Sequence, residues 1–203
     1  MLRKKLFLSK AIKNLIMAQM GNQDKRRILG IDPGLASTGW GVIESDGIHF
    51  KLIDYGCIET ESSMEHGKRL VEIYNIITNV INDYKPTESS METLYFAKNV
   101  TSAMSVSQAR GVVTLALTQN NLSLGEYTPN AIKQSVTGTA TANKKLVQGC
   151  VKMLLGMDHI PKPDHSADAL AVAITHATSS HLTRNMETSK NSNSAIFRNF
   201  RHT

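Results

Sequence analysis

The chain has 203 residues, 41% hydrophobic and 5% aromatic, which suffices for one buried α/β-sized core with appendages and excludes two substantial domains. Its net charge of +6 is lopsided: residues 1–27 hold eight Lys or Arg against Asp24 alone, a local charge of +7, so the other 176 residues sum to −1 and bulk charge is no argument for nucleic-acid binding by the core. Two cysteines, Cys57 and Cys150, are too few and too far apart for a disulfide framework or a thiolate metal site, and no stretch approaches the roughly 18 apolar residues of a membrane span.

Residues 1–23 lack Asp and Glu and place Leu8, Ile12, Leu15, Ile16 and Gln19 at helical spacing beside Lys5, Lys10 and Lys13. This basic amphipathic pattern suits an organelle transit peptide, a surface-binding helix, or translated sequence upstream of a start at Met20. The last is preferred, because Met20 lies just before the first strand. The expected organisation is a basic extension over 1–26, one folded domain over 27–178, and a Ser/Asn-rich tail over 179–203 without a periodic apolar face, which predicts disorder.

From Arg27 the pattern predicts three strands: Ile28 to Ile31, Gly39 to Glu44, and the alternation Ile48, Phe50, Leu52 before Asp54, with Asp46-Gly47 as a hairpin turn. The period then switches. Leu70, Ile73, Tyr74, Ile77, Val80, Ile81 and Tyr84 predict an amphipathic helix, opened by a Ser62-to-Glu65 capping box and ended by Pro86. A strand follows at 88–96, a helix rich in small residues over Val100 to Gln119, and a strand over Leu122 to Tyr127. Three helices complete the domain: Pro129 to Thr137, Lys144 to Leu155 stopped by Gly156, and an apolar one from about Ser166 to Thr178 with Asp164 as its N-cap. The order βββαβαβααα implies a mixed sheet covered by helices.

Strand ends of open α/β sheets are where ligand sites form. Asp32 ends the apolar run Ile28-Leu29-Gly30-Ile31 and precedes Pro33-Gly34, so it is placed either to hold a cation or to make a turn. Glu92 ends the fourth strand, with Glu88 as its rival. His165 and Asp168, three apart at a helix start, share a face. Two Asp, one Glu and one His from three distant segments would make an oxygen-rich site for Mg²⁺ or Mn²⁺, and two such ions about 4 Å apart suit phosphodiester hydrolysis.

Taken together, Ile28 to Gly34, Glu92 with Tyr95-Phe96-Ala97-Lys98-Asn99, Gln108-Ala109-Arg110-Gly111, Lys133-Gln134, and Ala167-Asp168-Ala169-Leu170 with Ala173-Ile174-Thr175-His176 resemble the bacterial RuvC family of Holliday-junction resolvases. The resemblance runs in order from about residue 27 to 178. It implies an RNase H-like fold with a five-stranded mixed sheet, catalytic metal ligands at Asp32, Glu92, His165 and Asp168, and two Mg²⁺ ions for which Mn²⁺ can substitute. It implies a cytoplasmic, nucleoid-associated homodimer that nicks opposed strands of a four-way DNA junction in recombination and repair, working with RuvA and RuvB. DNA contacts would fall to Tyr95, Lys98, Lys133, Lys144 and Lys145, with Tyr95 stacking on unstacked bases.

Departures from the family pattern are local. Some relatives carry Asp where His165 stands, and Ser89-Ser90 replace the usual apolar residues, which predicts a poorly buried fourth strand. Ala140 replaces a common glycine in Gly138-Thr139-Ala140. Three rival functions match parts of the pattern. An actin-like ATPase fits Asp32-Pro33-Gly34 with Thr38-Gly39, but the chain lacks a second glycine-rich lobe. An RNase H-like RNA-processing nuclease and a non-catalytic junction-binding module stand as the alternatives.

Overall fold

The computed structural model describes residues 25–94 and 100–180. The expectations placed on the extension at 1–24, on Tyr95 and Lys98, and on the tail from 181 lie outside the described residues. The elements are β1 (Arg26–Asp32), β2 (Ser37–Ser45), β3 (Phe50–Glu59), α1 (His66–Tyr84), β4 (Glu88–Glu92), α2 (Val100–Gln119), β5 (Ser123–Tyr127), α3 (Pro129–Thr137) and α4 (Lys144–Leu154), followed by α5 over 164–180. The order is the one expected.

The five strands form one mixed sheet in the order β3-β2-β1-β4-β5. β1 runs antiparallel to β2, and β2 to β3, whereas β1–β4 and β4–β5 are parallel. Consequently β1 and β4 both end at the same edge, carrying Asp32 and Glu92 there. Alternation along β1 sends Leu29 and Ile31 into a core with Ile73 and Ile77 of α1 and Ala109 and Val113 of α2. Ile28 points the other way, into a core with Ile132, Val151, Leu170 and Ile174 from α3, α4 and α5. Both faces of β1 are therefore covered, which is why it reads as an unbroken apolar run. Each such fully buried Leu or Ile contributes about 1.5–3 kcal/mol.

Close approach sets where α5 lies. A Cβ at Gly30 would stand 2.1 Å from the Ala169 carbonyl oxygen and 2.8 Å from Ala173 Cβ, so the bare glycine lets the small-residue face of α5 rest on β1. Ser90 is the register partner of Gly30.

Four expectations are corrected. β4 is not poorly buried: Ser89 and Ser90 are fully buried because β4 sits between β1 and β5, and the Ser89 hydroxyl donates to the Ser123 carbonyl at 2.7 Å. β3 is longer than its alternating segment and is shifted, with Ile48 exposed in the preceding turn. A bulge between Val42 and Ile43 lets the strand follow β2 as far as the Ser37–Glu59 pair, and its mostly half-buried residues leave no clean period. The capping box does not form, since Glu65 itself is the N-cap of α1 and makes no side-chain cap bond. Asp164 is the first residue of α5, and its carboxylate accepts from side chains of α4.

Candidate active site

Asp32, at the end of β1, is paired across the ladder with Gly39 of β2. Gly39 is where the start of α5 lands: a Cβ there would stand 2.0 Å from the His165 carbonyl oxygen and 2.9 Å from His165 Cβ. Seated on this glycine, His165 brings Nδ1 to 2.7 Å from Asp32 Oδ2. That bond holds the His165 pKa above the usual histidine value, against the opposing effect of burial.

Asp168 lies three residues on, at the spacing that keeps it on the His165 face of the helix. Lys144, the first residue of α4, places Nζ 3.1 Å from Asp168 Oδ2 and 3.2 Å from Asp164 Oδ2. Burial pushes the Asp168 carboxyl upward and the Lys144 contact pulls it down, leaving it above the usual carboxylate range. For Lys144 itself burial works against the charge, but the two carboxylates outweigh it and hold the ammonium above the usual lysine value.

Glu92, half-buried at the end of β4, completes the edge. Burial pushes its carboxyl above the usual range, and the Asp32 and Asp168 charges push it the same way while Lys133 opposes them. A cavity of about 230 Å³ opens between Glu92, Asp168, Lys133 and Lys144, floored by Ile132, Val147 and Ala171. A second, of about 250 Å³, lies between Asp32, Glu92, Leu94 and Arg110. Lys145, the next residue of α4, is exposed and lines neither cavity.

The structure sets Glu92 and its rival apart in space. Glu88 sits at the opposite end of β4, where its Oε2 takes the Arg26 guanidinium at 2.8 Å and His176 Nε2 at 2.8 Å. Arg26 and His176 are themselves buried, and Tyr127 Oη stands 3.0 Å from His176 Nδ1. Glu88 is thus a structural ion that ties α5 to the sheet.

One residue of the site received no role from the sequence. Arg110 of α2 donates to the Glu92 main-chain carbonyl at 2.5 Å and pairs with Glu126 of β5, while the Thr93 amide donates to the Tyr127 carbonyl at 2.8 Å. These bonds clamp the end of β4 and so fix where the Glu92 carboxylate starts. A signal was present, because Arg110 is the lone charge in the 20 residues of α2.

Asp32, Glu92, His165 and Asp168 therefore share one edge, but among the described residues no three His, Cys, Asp or Glu side chains stand in a metal-holding arrangement. Within the site His165 bonds Asp32 and Lys144 bonds Asp168.

A family model described as crossover junction endodeoxyribonuclease RuvC matches residues 28–176. The chain belongs to the RuvC family. The crossover junction endodeoxyribonuclease RuvC of Treponema denticola is 55% identical over 148 residues, covering 73% of this chain and 83% of that protein. The RuvC of Caldicellulosiruptor saccharolyticus is 52% identical over 155 residues, covering 76% and 93%. Among solved structures, T. thermophilus RuvC in complex with a Holliday junction substrate superposes with a TM-score of 0.75 at 28% identity, covering 78% of this chain and 96% of that one. The expected RNase H-like fold and its nuclease class are thereby borne out.

A RuvC nuclease implies a divalent metal ion, and the donor set here fits one. Asp32 and Asp168 lie close enough to push the Glu92 carboxyl upward, and Asp32 does the same to Asp168; hard carboxylate oxygens without thiolate suit a hard divalent cation.

Proposed function

We propose that this RuvC protein resolves four-way DNA junctions by metal-dependent phosphodiester hydrolysis, placing paired symmetric nicks in recombination and repair. The observation that carries the proposal is the convergence of Asp32, Glu92 and Asp168 on one sheet edge, beside the family's relation to Holliday-junction DNA in the T. thermophilus complex. In this reading Asp32, Glu92, His165 and Asp168 hold two Mg²⁺ ions, with Mn²⁺ able to substitute. Bound there, the ions supply a water activated at neutral pH and charge neutralisation for the departing oxygen.

The protein's own groups do the rest. His165, donating from Nδ1 to Asp32, keeps its Nε2 lone pair for a ligand bond, and the Asp32 contact fixes its ring. Arg110 holds the main chain that carries Glu92. Lys133, on the rim of the 230 Å³ cavity, places a cation where a phosphate would approach Glu92, and Lys144 and Lys145 extend that charge along α4. Tyr95 and Lys98 complete the proposed DNA contacts.

A homodimer suits two opposed nicks. The outer face of α2 exposes Met104, Gln108, Gly111 and Leu115, a stripe at i, i+4, i+7 and i+11 on a helix whose inner face is already buried. Light scattering of Leu115→Asp against wild type checks this face, and a dimer of undiminished strength would remove it from the proposal. Cytoplasmic location and cooperation with RuvA and RuvB belong to the same reading. No helix among the described residues is long and apolar enough to cross a membrane.

The test is cleavage of an end-labelled four-way junction beside linear duplex and an RNA hairpin, with and without Mg²⁺, with Glu92→Gln as control. Paired junction nicks that need both metal and Glu92 support resolution. Binding without nicking supports a junction-binding module, and cleavage confined to RNA supports an RNA-processing nuclease.

A further inference from the structure

Lys144 stands between two carboxylates, 3.1 Å from Asp168 Oδ2 and 3.2 Å from Asp164 Oδ2. Only Asp168 belongs to the proposed metal site. Asp164 is exposed at the first position of α5, and it is steadied from the side away from the site: Gln148 Nε2, buried on α4, donates to its other oxygen at 3.0 Å. The ammonium thus has two nearly equal seats, one on a catalytic carboxylate and one on a carboxylate that has no place in the chemistry. Because Asn143 caps α4, its side chain accepting from the Leu146 amide at 2.9 Å, the helix start that carries Lys144 is fixed. The side chain itself is half exposed, and its ammonium reaches both carboxylates at once.

We propose that Lys144 is a built-in counter-cation that occupies Asp168 in the metal-free enzyme and is displaced onto Asp164 when a divalent ion binds. The proposal rests on the metal-site reading above and adds a direction to it: Lys144 competes with the metal, and Asp164 relieves that competition. The ammonium bonds Asp168 Oδ2, and its charge repels a divalent ion held by the same carboxylate, so loading the ion favours the lysine's contact with Asp164 over its contact with Asp168. Retained by Asp164, the lysine stays at the rim of the 230 Å³ cavity beside Glu92 and Lys133. There its charge is available to a phosphate once the metal is in place. Asp164 then serves as a positioning residue and not as the helix cap its place in the sequence suggests.

The competition gives opposite signs for its two partners. Without the lysine, Asp168 is open and metal affinity rises; without Asp164, the lysine has only Asp168 to hold and metal affinity falls. Removing a remote positive charge also raises cation affinity, but that effect is screened and modest at an exposed site. Lys145, the exposed neighbour on the same helix, supplies the control for it.

The experiment is Mn²⁺ binding to the full chain without DNA, followed by loss of the free Mn²⁺ paramagnetic signal at fixed ionic strength. Variants are Lys144→Met, Lys144→Arg, Lys145→Met, Asp164→Asn, the double change Lys144→Met with Asp164→Asn, and Asp168→Asn. Lys144→Met is expected to tighten binding by about fivefold or more, Lys145→Met by much less, and Lys144→Arg not at all. Asp164→Asn is expected to weaken binding in wild type and to have little effect once Lys144 is Met. Equal tightening by Lys144→Met and Lys145→Met would reduce the effect to general charge and overturn the proposal, as would unchanged or weaker binding in Lys144→Met. If Mn²⁺ binding survives Asp168→Asn at full strength, the metal-site reading itself fails and carries this proposal down with it.

Discussion

Gly39→Ala adds one methyl group beneath the main chain of His165. The new Cβ would lie 2.0 Å from the His165 carbonyl oxygen, 2.3 Å from its carbonyl carbon and 2.9 Å from its Cβ. A non-bonded Cβ does not persist within 3.0 Å of another heavy atom, so the start of α5 must lift by about 1 Å. Backbone cannot turn aside as a side-chain tip can, and overpacking of this kind costs about 1–3 kcal/mol. At about 2–4 °C per kcal/mol for a domain of this size, the melting temperature should fall by about 2–12 °C. Activity should fall further, because His165 carries the bond to Asp32, and a 1 Å misplacement of catalytic groups costs on the order of a hundredfold in rate. Single-turnover cleavage of a four-way junction at saturating metal, alongside junction binding and a thermal melt, measures each quantity. Gly41→Ala is the matched control, since its Cβ meets the Cδ2 and Cγ of Leu170 at 2.5 and 2.7 Å, a core side chain further along α5 and not the main chain of His165, so stability drops and the rate falls less. A Gly39→Ala protein that melts and cleaves like wild type would refute the claim that this glycine seats the active-site helix.

Three further predictions follow from the same geometry. Glu92→Gln should stabilise the metal-free protein at neutral pH while abolishing cleavage: the folded carboxyl titrates above its unfolded value, so its ionisation costs stability as pH rises through that window, and the gain from Gln should vanish at pH below the unfolded value, as thermal melts across pH will show. Glu88→Gln should do the reverse, because Arg26 and His176 lose a buried partner; breaking such a pair costs about 3–5 kcal/mol, with the nicking rate of the folded fraction unchanged. Arg110→Met should raise the metal concentration needed for half-maximal cleavage without weakening junction binding, and Arg110→Lys should restore part of it; equal loss of junction binding would argue against a role through Glu92.

The outline of the fold was legible because its signals are local. The unbroken apolar run of β1 marks a strand buried on both faces, and the spacing from Leu70 to Tyr84 gave α1 directly. What was not legible depends on packing across the sequence. Ser89-Ser90 look like an exposed strand by composition, yet β4 lies between two neighbours, and Ser90 is the ladder partner of Gly30, over which α5 passes. Asp32, His165 and Asp168 could be nominated singly, but that His165 bonds Asp32 and Lys144 spans Asp164 and Asp168 follows only once α4 and α5 meet the sheet edge. Glu88 and Glu92 are chemically alike and four residues apart. Only the parallel pairing of β1 with β4 puts one at the Arg26 end and the other at the Asp32 end.

The most direct test of the metal site is a crystal soaked in Mn²⁺ and measured at the manganese absorption edge. An anomalous peak among the carboxylates of Asp32, Glu92 and Asp168, with Lys144 withdrawn from Asp168, is the result predicted here. Ordered manganese held elsewhere on the chain, with the Asp168–Lys144 pair intact and no peak at this edge, would contradict it.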